Sequence, residues 1–106
     1  MRLKDEMERM TDFKVVYEPF RRLSIVGGHR NRSRLLSYLL HLHVTTGDDW
    51  VEIDDNTFRI VDMSPYGVTE AKKALLRTEY VKADGKRLSV EIPVLMRDVQ
   101  RVHDTW

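Results

Sequence analysis

The sequence predicts a single domain of the α+β class that is mainly α-helical and carries one small β-hairpin. Stretches with apolar residues three and four positions apart indicate several amphipathic helices. Later in the chain, Asp84-Gly85 separates two β-prone runs, "YVKA" and "RLSVEIP", which is typical of a tight hairpin turn. A chain of 106 residues, 42% of them hydrophobic, is long enough for one modest core and no second domain.

The strongest helix is predicted over residues 33–44, "SRLLSYLLHLHV". Its leucines lie around most of the helix, so we expect it to be buried on most sides. The glycines of "GGHRN", residues 27–31, predict a loop before it. After it, the alternating "WVEI", residues 50–53, favours a small strand, and "DDNTFRIVDM", residues 54–63, favours a short helix that begins with capping residues.

A second clear helix is predicted from Pro65 to Thr78, because Ser64 can cap its first turn and proline fits that turn. At about 100° per residue, an inward stripe is formed by Val68, Ala71, Leu75 and Thr78. We expect Gly67 to allow a close approach to the preceding helix. The expected core consists of Leu35, Leu39, Leu42, Phe58, Val61, Val68, Ala71, Leu75 and Val90.

Two terminal helices, over residues 2–12 and 93–106, carry apolar stripes with matching spacing. These stripes are Leu3, Met7 and Met10 near the start, and Leu95, Val99, Val102 and Trp106 near the end. A small domain does not need both stripes to complete its core, so we expect them to form a homodimer interface. The alternative is that both stripes pack on their own domain.

The stretch "MSPYGVTEAKKALLRTEYV" has Met63-Ser64 at a turn, then the apolar stripe, then Tyr80-Val81 at the entry to the hairpin. With "IDDNTFRIVD" before it, this stretch resembles the winged helix-turn-helix DNA-binding proteins. The resemblance covers residues 33–92, and it implies a winged-helix core there, an extension over residues 1–32 and an added helix over residues 93–106. The sequence before it, with "YEPFRRL" and "RSRLLSYLL", is more loosely similar to small plasmid replication initiators of the RepL type.

The resemblance implies a sequence-specific double-stranded DNA-binding protein, either a transcriptional regulator or a replication or partition factor of a plasmid or virus. In such proteins the early residues of the second helix contact base edges. The implied recognition residues are Ser64, Tyr66, Thr69, Glu70, Lys73 and Arg77, with Arg77 expected at phosphate. The alternatives are an ordinary solvated helix face, or a winged-helix module that binds another protein and no DNA.

Two basic clusters extend this surface. The implied wing contacts are Lys82, Lys86 and Arg87. The implied phosphate contacts before and within the long helix are Arg30, Arg32 and Arg34. Either cluster can equally be a solvated turn or loop. Three acids flank the first helix of the motif and would repel DNA if they faced it, namely Asp54, Asp55 and Asp62.

Composition argues against several other classes of function. The chain has no cysteine, which excludes disulfides and cysteine zinc ligands. It has no apolar run long enough for a membrane span and no leader-like start, so we expect a cytoplasmic protein without membrane contact. His41 and His43 lie about 200° apart on a helix and cannot share a metal. We therefore expect no enzyme, no metal, no cofactor and no small-molecule ligand.

Overall fold

The structure, a computed structural model, describes residues 30–54 and 56–104, the last three by their backbone only. Within these ranges it contains four helices and one three-stranded antiparallel sheet. The elements in chain order are α1 (Arg30–Thr46), β1 (Val51–Glu52), α2 (Thr57–Ile60), α3 (Pro65–Leu76), β2 (Val81–Asp84), β3 (Arg87–Val90) and α4 (Ile92–Asp104). The predicted helix over residues 2–12, with Leu3, Met7 and Met10, lies outside the described residues, as do Asp55 and Trp106.

Helix α1 begins earlier than predicted, so the predicted loop is wrong at Arg30 and Asn31. Arginine is a good helix former, and the glycines that suggested a loop lie before this point. The helix ends at Thr46, whose hydroxyl donates to the carbonyl of Leu42 at 2.6 Å. Gly47 follows with φ 75°, a conformation that favours glycine and stops the helix.

Helices α2 and α3 are joined by a short turn, which places them against each other. Helix α2 is shorter than the predicted span because the Asp54 carboxylate accepts from the Asn56 amide at 2.8 Å, in a turn that precedes the helix. Helix α3 starts as predicted, since the extended Ser64 accepts from the Gly67 amide at 3.0 Å through its hydroxyl. It ends at Leu76, two residues before the predicted end.

The sheet has the order β1–β3–β2, with both pairings antiparallel. Val51 lies opposite Leu88, and Val81 lies opposite Val90. Asp84 pairs with Arg87, so Gly85 and Lys86 form the two-residue turn. Gly85 has φ 62° at the first turn position, as in a type II′ turn. The predicted small strand is present, and it adds to the hairpin on the side of β3.

The main core forms where α1 crosses the sheet and α3. Its fully or almost fully buried members are Leu35, Leu36, Leu39, Leu40, Ala71, Leu75, Val81, Leu88, Val90 and Leu95. The prediction of one shared core is wrong in one respect, because Val61 and Val68 form a second cluster. Phe58 and Leu42 are only partly buried, and they pack at the edges of the second and the main cluster respectively.

Helix α4 corrects the predicted dimer interface at two positions. Leu95 has no exposed surface and belongs to the main core, and Val99 is half-buried against the same cluster. Both therefore pack on their own domain, which was the alternative interpretation. Val102 lies in the last turns of α4, and its side chain is outside the described part of the chain. None of the helices within the described residues is both long and apolar enough to cross a membrane.

Candidate nucleic-acid interface

The exposed face of α3 presents a line of polar side chains. Tyr66, Glu70, Lys73 and Arg77 follow each other at intervals of four, three and four residues, so they lie above one another on the helix. All four are exposed, and Tyr66 retains 74% of its surface. The line faces away from the core, as the helical phase predicted.

The side of α3 next to this line packs on α1 through small residues. Gly67, Ala71 and Ala74 are buried there. A Cβ atom at Gly67 would lie 3.1 Å from Nδ2 of Asn31 and 3.3 Å from the Ser64 hydroxyl. The expected partner of Gly67 was the preceding helix, and the neighbour is α1 instead. The missing side chain lets the start of α1 lie close beside the start of α3.

This close approach creates a basic groove between the two helices, with a volume of about 420 Å³. Its cations come from both sides, since Arg30 and Arg32 belong to α1, while Lys73 belongs to α3 and Arg77 directly follows it. Glu70 lines it as well. Two sets of residues that the sequence predicted separately therefore meet at one surface. Four cations beside one carboxylate suit a groove that receives an anion.

Asn31 also lines the groove, and no pattern in the sequence selects it as a site residue. The glycines of residues 27–31 predict a loop at this position, and a loop has no helical phase from which its direction follows. Only the earlier start of α1 brings it to the groove beside Gly67.

Arg34 is not part of this surface, and its predicted phosphate contact is wrong. It is only 6% exposed. Its Nη1 donates to the carbonyls of Asp62 at 3.1 Å and Val61 at 3.4 Å, and lies 3.9 Å from the Asp62 carboxylate. Asp62 has φ 54°, a left-handed conformation that aspartate tolerates better than most residues. Arg34 thus ties α1 to the turn between α2 and α3.

Two of the predicted recognition residues make local contacts at the start of α3. The Ser64 hydroxyl oxygen is the helix cap. The exposed Thr69 hydroxyl donates to the carbonyl of Pro65 at 3.1 Å. Both remain at the exposed start of the helix, so the structure assigns them a structural contact without burying them.

The predicted wing is the exposed β2–β3 hairpin. Lys82 Nζ lies 3.5 Å from a Glu91 oxygen, and Arg87 Nη2 lies 3.0 Å from an Asp84 oxygen. The Arg87 guanidinium also lies 5.7 Å from the centre of the Trp50 ring. Ion pairs this exposed contribute little to stability, so the cations can exchange partners. Trp50 was missed because its position beside Arg87 depends on the pairing of β1 with β3.

A second groove lies on the other side of α3, and it is mainly apolar. Its volume is also about 420 Å³. Its lining consists of Ile53, Asp54, Phe58, Pro65, Val68 and Thr69. The exposed line of α3 is therefore bordered by a basic groove on one side and an apolar groove on the other.

The clearest shifts in acidity occur at a contact that holds α4. Tyr80 is buried, and its hydroxyl donates to an Asp98 oxygen at 2.7 Å. Burial, followed by this hydrogen bond, raises the pKa of Tyr80 to about 12. The same bond, with Arg97 beside it, lowers the pKa of Asp98. Elsewhere, burial and then the charge of Asp54 raise the pKa of Tyr38.

Comparisons of the chain with models of protein families, with curated proteins and with solved structures found no match. Within residues 30–54 and 56–104, no three histidine, cysteine or acidic side chains are grouped so that they could hold a metal ion. The resemblance of residues 33–92 to winged-helix proteins stays a prediction. The function is therefore inferred from the grooves and from the exposed face of α3.

Proposed function

We propose that the protein is a sequence-specific double-stranded DNA-binding protein of the winged-helix type. In this proposal α2, the turn and α3 form a helix-turn-helix, and the β2–β3 hairpin forms the wing. The order of elements supports it, with a helix, a strand, two helices joined by a short turn, and a hairpin. The addition of β1 to the hairpin through β3 is also compatible with that architecture.

The observation that carries the proposal is the basic groove. A helix that lies in the major groove is flanked by phosphates, which cations at its edge can contact. Arg30, Arg32, Lys73 and Arg77 are gathered along one edge of α3 in this way. The exposed line from Tyr66 to Arg77 would then face the base edges, with its last residue near phosphate.

The wing supplies a second contact in this proposal. Lys86 is exposed at the turn, and Lys82 and Arg87 are held only by exposed ion pairs. These cations would exchange their carboxylate partners for phosphates of the flanking backbone or the adjacent minor groove. The protein would act as a transcriptional regulator or as a replication or partition factor of a plasmid or virus.

A salt titration of duplex binding tests the proposal. Displaced counterions make affinity fall with salt, and each lost phosphate contact lowers the slope by about one unit. We expect this change for Arg30→Ala and Arg77→Ala. The matched control is Arg101→Ala, which removes the same charge from the exposed face of α4. The proposal is contradicted if the parent protein binds no duplex at low salt, or if all three variants have equal slopes.

We also propose a homodimer, with an interface reduced by the burial of Leu95 and Val99. The remaining interface residues are Leu3, Met7, Met10, Val102 and Trp106. Deleting α4 would not test this, because the deletion would remove Leu95 from the core. Sedimentation of the full chain at micromolar concentration should give a dimer. A monomer alone under these conditions would remove the dimer from the proposal.

The second candidate function is a protein-interaction module without DNA binding. It is favoured by the apolar groove, where Phe58 is only half-buried and Ile60 nearby on α2 is 40% exposed. Apolar contacts of this kind weaken little as salt rises, whereas DNA binding weakens steeply. The same salt titration therefore separates the two candidates.

A further inference from the structure

We infer that Glu70 determines sequence specificity by accepting a hydrogen bond from the exocyclic amine of a cytosine in the major groove. The inference rests on the proposed DNA binding, and it assigns one base of the bound site, a cytosine, to one residue, Glu70. Glu70 places a carboxylate in a groove whose other charged lining residues are all cations.

Glu70 lies on the exposed face of α3, from which a side chain could reach a base edge in the major groove. It belongs to the exposed line of α3, one turn after Tyr66 and one turn before Lys73, and it also borders the basic groove. Among the described residues no ion pair within 4.0 Å engages Glu70, although four cations line the same groove. Its carboxylate is therefore not held in an ion pair by a neighbouring cation of the described residues.

The chemistry of DNA restricts what this carboxylate can bind. An ionised carboxylate only accepts hydrogen bonds, and phosphate oxygens also only accept, so Glu70 cannot hydrogen-bond the backbone. The donors in the major groove are the amines of cytosine and adenine. Adenine presents the acceptor N7 beside its amine, which would face the second carboxylate oxygen. Cytosine has no acceptor of its own at that edge, and glutamate is accordingly a partner for cytosine.

Tyr66 serves as a positioning residue for Glu70. Its hydroxyl lies 3.4 Å from Oε1 of Glu70, a long contact that still restricts the carboxylate on one side. In this proposal the other oxygen, Oε2, accepts from the cytosine amine. We therefore expect Tyr66→Phe, which keeps the ring and removes the hydroxyl, to weaken the preference for cytosine at the position read by Glu70.

Selection of bound duplexes from a random pool tests the inference, with the parent protein and Glu70→Gln compared. The parent should prefer cytosine at one position by about fivefold to a hundredfold. Glutamine offers both an acceptor and a donor, which fit N6 and N7 of adenine. Glu70→Gln should therefore move the preference at that position from cytosine to adenine and leave the other positions unchanged. The control Glu79→Gln, which removes the same charge beyond the end of α3, should select the parental site.

The outcomes separate the two levels of the proposal. If the parent binds no duplex, the proposed function fails and the inference fails with it. If the parent selects a defined site and Glu70→Gln selects the same site, DNA binding stands and the inference is wrong. Tighter binding of Glu70→Gln to every duplex by one common factor would show that Glu70 only repels phosphate, which also overturns the inference.

Discussion

At the scale of single residues, a difference in burial gives two arginines of α1 different roles. Arg30 and Arg34 are one helical turn apart and have no acid between them in the sequence. Arg30 is exposed and lines the basic groove, whereas Arg34 is buried under the turn that contains Asp62. A basic cluster in the sequence gives charge and spacing only, so the covering turn could not be predicted from it.

Replacing each of these arginines by methionine should change the free energy of unfolding by different amounts. Arg34→Met removes a charged donor from two carbonyl groups at a buried site, and it should lower the free energy of unfolding by about 1.5–3 kcal/mol. Arg30→Met should change it by less than about 0.5 kcal/mol, as exposed substitutions usually do. Urea unfolding measures both values. Equal losses would contradict the assignment of Arg34 to the interior.

Ser64 illustrates a residue whose structural contact can be measured apart from DNA. Its hydroxyl accepts from the Gly67 amide at the start of α3. Ser64→Ala should therefore cost about 1 kcal/mol of unfolding free energy, the usual loss for a helix cap. Ser64→Asp keeps an acceptor and should retain most of the stability. A loss of the same size for aspartate and alanine would show that the cap is not what the serine supplies.

At the scale of elements, the sequence predicted every helix and strand within the described residues, and the errors lie at boundaries and pairings. The helical spacing and the Ser64-Pro65 start located α3, and the Asp84-Gly85 pair located the hairpin. The partner of β1 could not be predicted, because a strand of two residues carries no register signal. The start of α1 could not be predicted from composition, because Gly27 and Gly28 favour a loop whereas Arg30, close behind them, favours a helix.

The hydrogen bond between Tyr80 and Asp98 helps to hold α4 on the domain, and its contribution to stability should fall at both low and high pH. Asp98 has a folded pKa below the 3.8 of a free carboxyl group, so its contribution is present above that value and is lost as pH falls further. Tyr80 has its pKa raised from 10.0 to about 12, so its contribution is present below pH 10 and is lost as pH rises toward 12.

Tyr80→Phe tests this contact. At neutral pH we expect a loss of about 1.5–3 kcal/mol in unfolding free energy, the usual value of a hydrogen bond to a charged group. The difference between parent and variant should shrink at both pH limits. In acid the parent loses the carboxylate charge that strengthens the bond, and in alkali it loses the phenol proton that makes the bond. Asp98→Asn, which keeps an acceptor without the charge, should lose the acid dependence of this site. A difference that stays constant from acid to alkaline pH would contradict the role of the bond.

At the scale of the whole molecule, the candidate site depends on contacts between segments far apart in sequence. The composition of α3 predicted its exposed line, which needs only the helical repeat. The basic groove also requires α1 to lie beside α3, and the close approach at Gly67 sets that geometry. The predicted dimer stripe failed at Leu95 for a related reason, since a stripe of given spacing fits its own core as well as a partner.

The two apolar clusters should unfold together, because Ile53 packs against both and Arg34 joins α1 to the turn beside Val61. Leu39→Ala in the main cluster should cost about 2–5 kcal/mol, and Val61→Ala in the second about 2 kcal/mol. Both should lower the midpoint of one urea transition, with coincident curves from circular dichroism and tryptophan fluorescence and an unchanged slope. A loss below about 0.5 kcal/mol for Leu39→Ala would contradict its burial.

The sharper outcome concerns Val61→Ala. If the second cluster were independent, this variant would show an early transition of its own, while the main transition kept its midpoint. Helix α3 would then be held by α1 alone, and the basic groove would open before the domain unfolds. A single shared transition instead means that α3 is fixed from both sides, by Leu75 in the main cluster and Val68 in the second. The exposed line between the two grooves would then keep its geometry up to global unfolding, as sequence-specific readout of bases requires.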